Sequence, residues 1–99
     1  MKNKIRIDVK RRQLFAKKEK QRMALKYLVL NNNVSKKHHW NCFFRMAGLS
    51  RNSTLSRIRN LCVRTGRARA VFKKFKISRI ELRRLASFGL IPGMSKASW

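Results

Sequence analysis

The segment CVRTGRARAVFKKFKISRIE, residues 62–81, decides how this chain is read. Cys62 and Thr65 bracket two residues. Ser78 and Glu81 bracket two more, twelve residues further on. With cysteine at all four places the spacing would be C-x2-C-x12-C-x2-C, a strong zinc signature. Only Cys62 remains, and one thiolate cannot hold zinc, so another cause of order is needed. Ser78 and Glu81 fit a capping box, in which the serine side chain takes the N3 amide and the glutamate reaches back to the N-cap amide. A helix is then expected from Arg79 to about Phe88, stopped by Gly89, with Ile80, Leu85 and Phe88 inward and Arg79 and Arg83 sharing one face. Residues 61–76 read as a short hairpin turned by Gly66, with Thr65 before the turn. Cys62 reads as a small buried hydrophobe.

Upstream, residues 49–60 (LSRNSTLSRIRN) are polar and read as irregular chain suited to threading along RNA. Before them, Ser35 is an N-cap for a helix KKHHWNCFFRMA ended by Gly48. Trp40, Phe43, Phe44 and Ala47 recur there at i, i+3, i+4 and i+7, a compact apolar face. His38 and His39 are adjacent, do not face one another, and read as surface or packing residues. Asn31, Asn32 and Asn33 form a break. Residues 5–30 read as a long basic helix free of Gly and Pro but without a clean apolar stripe. Downstream, Pro92 and Gly93 end regular structure, and a tail carries Lys96 and Trp99.

The chain has 99 residues, 27 Lys and Arg against 3 acids, and a formal charge of +24. Screened repulsion among so many charges sums to about 5 kcal/mol, a large share of a small domain's stability. A polyanion as standing partner resolves this, with nucleic acid the first choice and an anionic membrane surface the second. A modest single core is expected at this length. Cys42 and Cys62 form no paired motif, which excludes a disulfide scaffold and fits a reducing compartment. No apolar run approaches a membrane span. The N-terminus has no apolar signal core and reads as mature protein. Asp8, Glu19, Glu81, two adjacent histidines and two lone cysteines make no acid–base or nucleophile set, so no enzyme is expected. No recognition helix marks a sequence-specific DNA reader. A membrane-active helix would need the missing stripe.

The pieces RNLCVRTGR, SRI at the head of the last helix, IPG and the terminal KASW resemble the C-terminal half of small-subunit ribosomal protein number fourteen. The close match covers about half the chain, and the N-terminal half agrees in pattern, including HWN near the start of its second helix. That family has a short zinc-binding branch and a longer zinc-free one. Cys62, Thr65, Ser78 and Glu81 at the ligand positions resemble the zinc-free form, which implies no metal and no other cofactor. Phe43, Phe44 and Ala68, where proline is frequent, depart from bacterial-like members. The resemblance implies a structural constituent of the small subunit, in its head, bound to the 3′ major domain of the rRNA. It also implies neighbours resembling small-subunit proteins three, ten and nineteen. The alternative is another basic RNA- or DNA-binding protein outside the ribosome. The richness in Lys, Asn, Phe and Ile suits an AT-rich genome and a mitochondrial product, with chloroplast and bacterial origins as alternatives.

The expected architecture is mostly α and extended, ordered by rRNA. A basic helical extension occupies residues 1–48. An rRNA-binding module occupies 49–99: the irregular linker, the hairpin and the C-terminal helix of a degenerate zinc-module-like unit. Arg51, Arg57, Arg59, Arg64, Arg67, Arg69, Lys73 and Lys74 are expected on phosphates, arginine being preferred for bidentate forks. Asn52 and Ser53 supply hydrogen bonds from the linker, and Asn60 and Thr65 reach sugars or bases. Gly66 lets the backbone approach RNA closely. Arg79 and Arg83 face RNA from the last helix, and Lys96 and Trp99 anchor the tail.

Overall fold

A computed structural model describes residues 2–99. It is mostly helical: α1 (Lys2–Leu30), α2 (Lys36–Ala47), two 3₁₀ turns (Arg51–Ser53 and Leu55–Arg57), β1 (Val71–Phe72), β2 (Ile77–Ser78) and α3 (Arg79–Ser87). The chain divides into two compact units, Val9–Ile58 and Met1–Asp8 with Arg59–Trp99.

Helix α1 begins at Lys2, three residues before the expected start. Its apolar residues point in many directions: Ile7, Val9, Leu14, Met23, Tyr27 and Leu30 are all exposed. Within the Val9–Ile58 unit only Leu25 is a buried hydrophobe. Polar contacts do the rest. Arg22 Nη2 donates to Ser53 Oγ at 2.9 Å, and Ser53, fully buried, donates in turn to the Ser50 carbonyl. The imidazole Nε2 of His39 meets the Val29 carbonyl at 2.7 Å. Asn33 donates its amide to Asn31 Oδ1 at 3.0 Å, closing the break between the helices as an Asx turn.

Three expectations for this unit change. Ser35 stands at the N-cap of α2, but its side chain makes no capping bond; its carbonyl starts the helix by accepting from His39 N–H at 2.9 Å. Gly48 ends α2 in a right-handed conformation, φ −75°, and its glycine freedom is unused. The aromatic face is turned out: Trp40, Phe43 and Phe44 are 56%, 42% and 64% exposed and pack on one another. The side that is partly covered carries His39, Cys42 and Met46 instead. Residues 49–60 are also more ordered than expected, because each 3₁₀ turn is closed by backbone bonds, such as Thr54 N–H to Arg51 O at 3.2 Å.

In the other unit, Cys62 and Leu82 are the buried hydrophobes among the described residues. Gly66 does not turn the hairpin. It closes a tight knuckle, with Gly66 N–H donating to Cys62 O and Cys62 N–H to Arg67 O, both at 2.8 Å. Its φ of +71° is the left-handed value that glycine adopts without strain. The hairpin lies later, pairing Val71 with Ser78 and Phe72 with Ile77. Its turn closes through Lys76 N–H to Phe72 O at 2.7 Å. No glycine marks that turn, which is why sequence reading placed it at Gly66. Lys76 itself takes φ +55°, and Ala70 φ +51°. A side chain held in that region costs about 1 kcal/mol. Lys76→Gly is therefore expected to raise the urea midpoint by a stability gain of up to about 1 kcal/mol. An unchanged or lower midpoint would show that the Lys76 side chain contributes as much as its backbone costs.

Helix α3 ends as expected at Gly89. That glycine takes φ +69°, with Leu90 N–H bonding Leu85 O and Gly89 N–H bonding Ala86 O, both at 3.0 Å, a Schellman motif. The inward face is the expected one only at Leu85. Ile80 and Phe88 are 53% and 67% exposed. Ser78, Glu81 and Leu82 are buried and Leu85 half-buried, at i, i+3, i+4 and i+7. A carboxylate and a hydroxyl on that stripe hid it from a hydrophobic-pattern reading.

Candidate nucleic-acid interface

The knuckle is built around a single sulfur. Cys62 is fully buried. Burial pushes its thiol up. Hydrogen bonds from the Thr65 side chain and from the backbone of Thr65, Ser78 and Arg64 outweigh that in sum and bring it down from 9.0 to about 7. Four hydrogen-bond donors thus converge on the one sulfur. Half of the capping box forms, Glu81 N–H donating to Ser78 Oγ at 3.4 Å. The other half does not, because the Ser78 amide is turned to Cys62 and the Glu81 carboxylate to arginines. Arg64 Nη1 lies 3.6 Å from Glu81 Oε2 and Arg84 Nη1 3.7 Å from Oε1.

These four positions do not fit zinc. One thiol, two hydroxyls already engaged in the knuckle and a carboxylate facing two guanidinium groups are a poor donor set. Among the described residues, no three His, Cys, Asp or Glu side chains gather as metal ligands.

Two of the three acids serve this unit internally. Asp8, buried on α1, accepts the Arg59 amide at 3.4 Å. Glu81 holds the knuckle arginine to α3. The cations are left mostly outside. Arg59, Arg64, Arg69, Lys73, Lys74, Arg79, Arg83 and Lys96 are exposed, Arg67 is half-buried, and Trp99 is wholly exposed. A cleft of about 510 Å³ beside the knuckle brings Lys4 of α1 together with Thr65, Arg67 and Arg69. Lys4 was not legible as part of the site, because its place depends on a contact across more than fifty residues.

Other expected residues are placed differently. Ser53, fully buried, supports its loop through Arg22 and Ser50 and offers no hydroxyl outward. Arg51 is exposed, and Arg57 donates to Asn52 Oδ1 at 2.7 Å, an exposed pair in the Val9–Ile58 unit. Arg59 Nε donates to Ala68 O at 3.4 Å while its residue stays exposed, as does Asn60. Thr65 spends its hydroxyl on Cys62 and on the Arg67 amide, 3.4 Å away. Gly66 is buried at the turn that its φ of +71° permits, and it lines the cleft beside the knuckle.

The class these features define is a small cationic structural protein, with two of its three acids buried and most of its arginines exposed. Comparison with known proteins makes the class specific. Residues 45–98 match the family model described as Ribosomal protein S14p/S29e. Over its full length the chain is 46% identical to small ribosomal subunit protein uS14m of Marchantia polymorpha, covering all of both chains. It is 42% identical over 92 residues to uS14 of Orientia tsutsugamushi, covering 93% of this chain and 91% of that one. It is 41% identical over 98 residues to uS14 of Cereibacter sphaeroides, covering 99% and 97%. The chain belongs to the S14p/S29e family of ribosomal proteins, and it is a structural protein rather than an enzyme. Its relatives include both a uS14m protein and bacterial uS14 proteins.

Proposed function

We propose that this chain is a structural constituent of the small ribosomal subunit, bound in its head to the 3′ major domain of the rRNA and supporting head assembly and translation. The observation that carries this is the knuckle: a fold held by sulfur hydrogen bonds and Glu81, with Arg64, Arg67 and Arg69 around it. Arg51, Arg57, Arg59, Lys73, Lys74, Arg79, Arg83 and Lys96 extend the phosphate contacts; Asn52, Asn60 and Trp99 add sugar or base contacts. By role, residues 49–99 form the rRNA-binding module and 1–48 a basic helical extension, a division separate from the two compact units. The neighbours resemble small-subunit proteins three, ten and nineteen. The protein works without zinc, and its ribosome is mitochondrial.

Such contacts chiefly position the protein, and recognition comes from RNA shape and single-stranded elements. Affinity is expected to fall steeply with salt. The full chain should co-sediment with small subunits in a nuclease-sensitive manner, with zinc well below one per chain. Arg67→Ala with Arg69→Ala should weaken RNA binding more than Lys17→Ala with Lys18→Ala, most clearly at low salt. Equal losses at low and high salt would overturn that ranking. One zinc per chain would overturn the metal-free reading.

A further inference from the structure

A groove of about 630 Å³ lies between α3, β1 and the C-terminal tail. Its volume falls in the range that takes small-molecule-sized groups. Phe72, Ile80, Leu82 and Met94 supply apolar lining, and Phe72 and Ile80 are about half exposed. Arg79, Arg83 and Lys96 also line it, and no acidic side chain does. Arg84 is already turned to Glu81, so it adds less to the field here.

An apolar bed with three outward cations is unsuited to an uncharged peptide. It also has more apolar lining than a paired RNA backbone would use. We infer that this groove binds one unstacked nucleotide of single-stranded or bulged RNA. The base lies on Phe72, Ile80 and Met94, and the flanking phosphates on Arg79, Arg83 and Lys96. The assignment rests on the RNA-binding reading above and gives this part of the surface a different task from the knuckle. The knuckle arginines track backbone; the groove reads whether a base is out of the stack. Base stacking tolerates any sequence because every base has a π-face. The groove therefore selects RNA conformation and not base identity.

The test uses the full chain and two RNA duplexes, one carrying a single bulged nucleotide and one fully paired. The bulged duplex should bind about tenfold tighter, the gain expected from one stacked base. Phe72→Ser with Met94→Ser should abolish that preference and leave affinity for the paired duplex unchanged, since both positions are partly exposed. Arg83→Ala should weaken both complexes and flatten their salt dependence. Equal affinity for the two duplexes would overturn the groove assignment and leave RNA binding by the chain standing. Loss of both affinities together in the Phe72/Met94 variant would also overturn it. So would displacement by polyglutamate, at matched charge, of the bulged duplex but not of the paired one, which would assign the groove to an acidic protein segment. Failure to bind either duplex would bring down the RNA reading itself along with the groove.

Discussion

Cys62→Ala is expected to destabilise the protein by about 3 kcal/mol, the largest loss from any single side chain here. The sulfur is fully buried and accepts hydrogen bonds from the Thr65 hydroxyl and the backbone of Thr65, Ser78 and Arg64. Alanine leaves those donors buried with nothing to accept them, and each orphaned group costs about 1–3 kcal/mol before relaxation. Cys62→Ser keeps an acceptor of smaller radius and should lose about half as much. The pH dependence separates this account from simple packing. The folded thiol titrates near 7 and the ordinary thiol at 9.0. The folded state thus sheds its proton first, and unfolding takes one up between these values. The contribution is full above about pH 9 and is lost as pH falls through 7, with a span of up to about 3 kcal/mol. Urea unfolding from pH 6 to 9.5 should show wild-type stability rising and Cys62→Ser flat over that range. A wild-type curve as flat as the serine variant's would mean that the sulfur is only filling space.

Glu81→Gln is expected to cost about 2 kcal/mol at low salt and clearly less at high salt. The carboxylate is buried, sits in the first turn of α3 and faces Arg64 and Arg84 at 3.6 and 3.7 Å. Those distances are longer than charge-assisted hydrogen bonds, and Oε2 has no hydrogen-bond partner. Both arginines are more than half exposed, so neither pair alone is worth much. The magnitude comes from the field instead. Glu81 is one of 3 acids against 27 cations, and it also complements the helix N-terminus. Glutamine keeps size and shape, so the loss measures charge. Urea midpoints at low and high ionic strength check it. A loss independent of salt would assign the effect to packing around Ser78 and Leu82.

What the sequence determined by itself was whatever rests on local chemistry or on spacing along the chain. The long helix free of Gly and Pro, the Asn break, the N-cap at Ser78 and the stop at Gly89 are short-range properties, and they were legible. So was the family, because RNLCVRTGR, SRI, IPG and KASW are specific strings. The total charge required the acids to be scarce and the cations to seek a polyanion.

Tertiary structure alone decided where each side chain spends its polar groups. The turn at Lys76 carries no glycine, so nothing local announces it. Ser78's amide could serve Glu81 or Cys62, and only the packing of the knuckle against β2 sends it to sulfur. The stripe of Ser78, Glu81, Leu82 and Leu85 turns a carboxylate inward, against the hydropathy pattern, where Arg64 of the knuckle meets it beside Arg84 of its own helix. Trp40, Phe43 and Phe44 look like a core face in sequence and lie outside in the fold. With so few of its apolar side chains buried, this chain relies on polar contacts between distant residues, and such contacts leave no periodic trace.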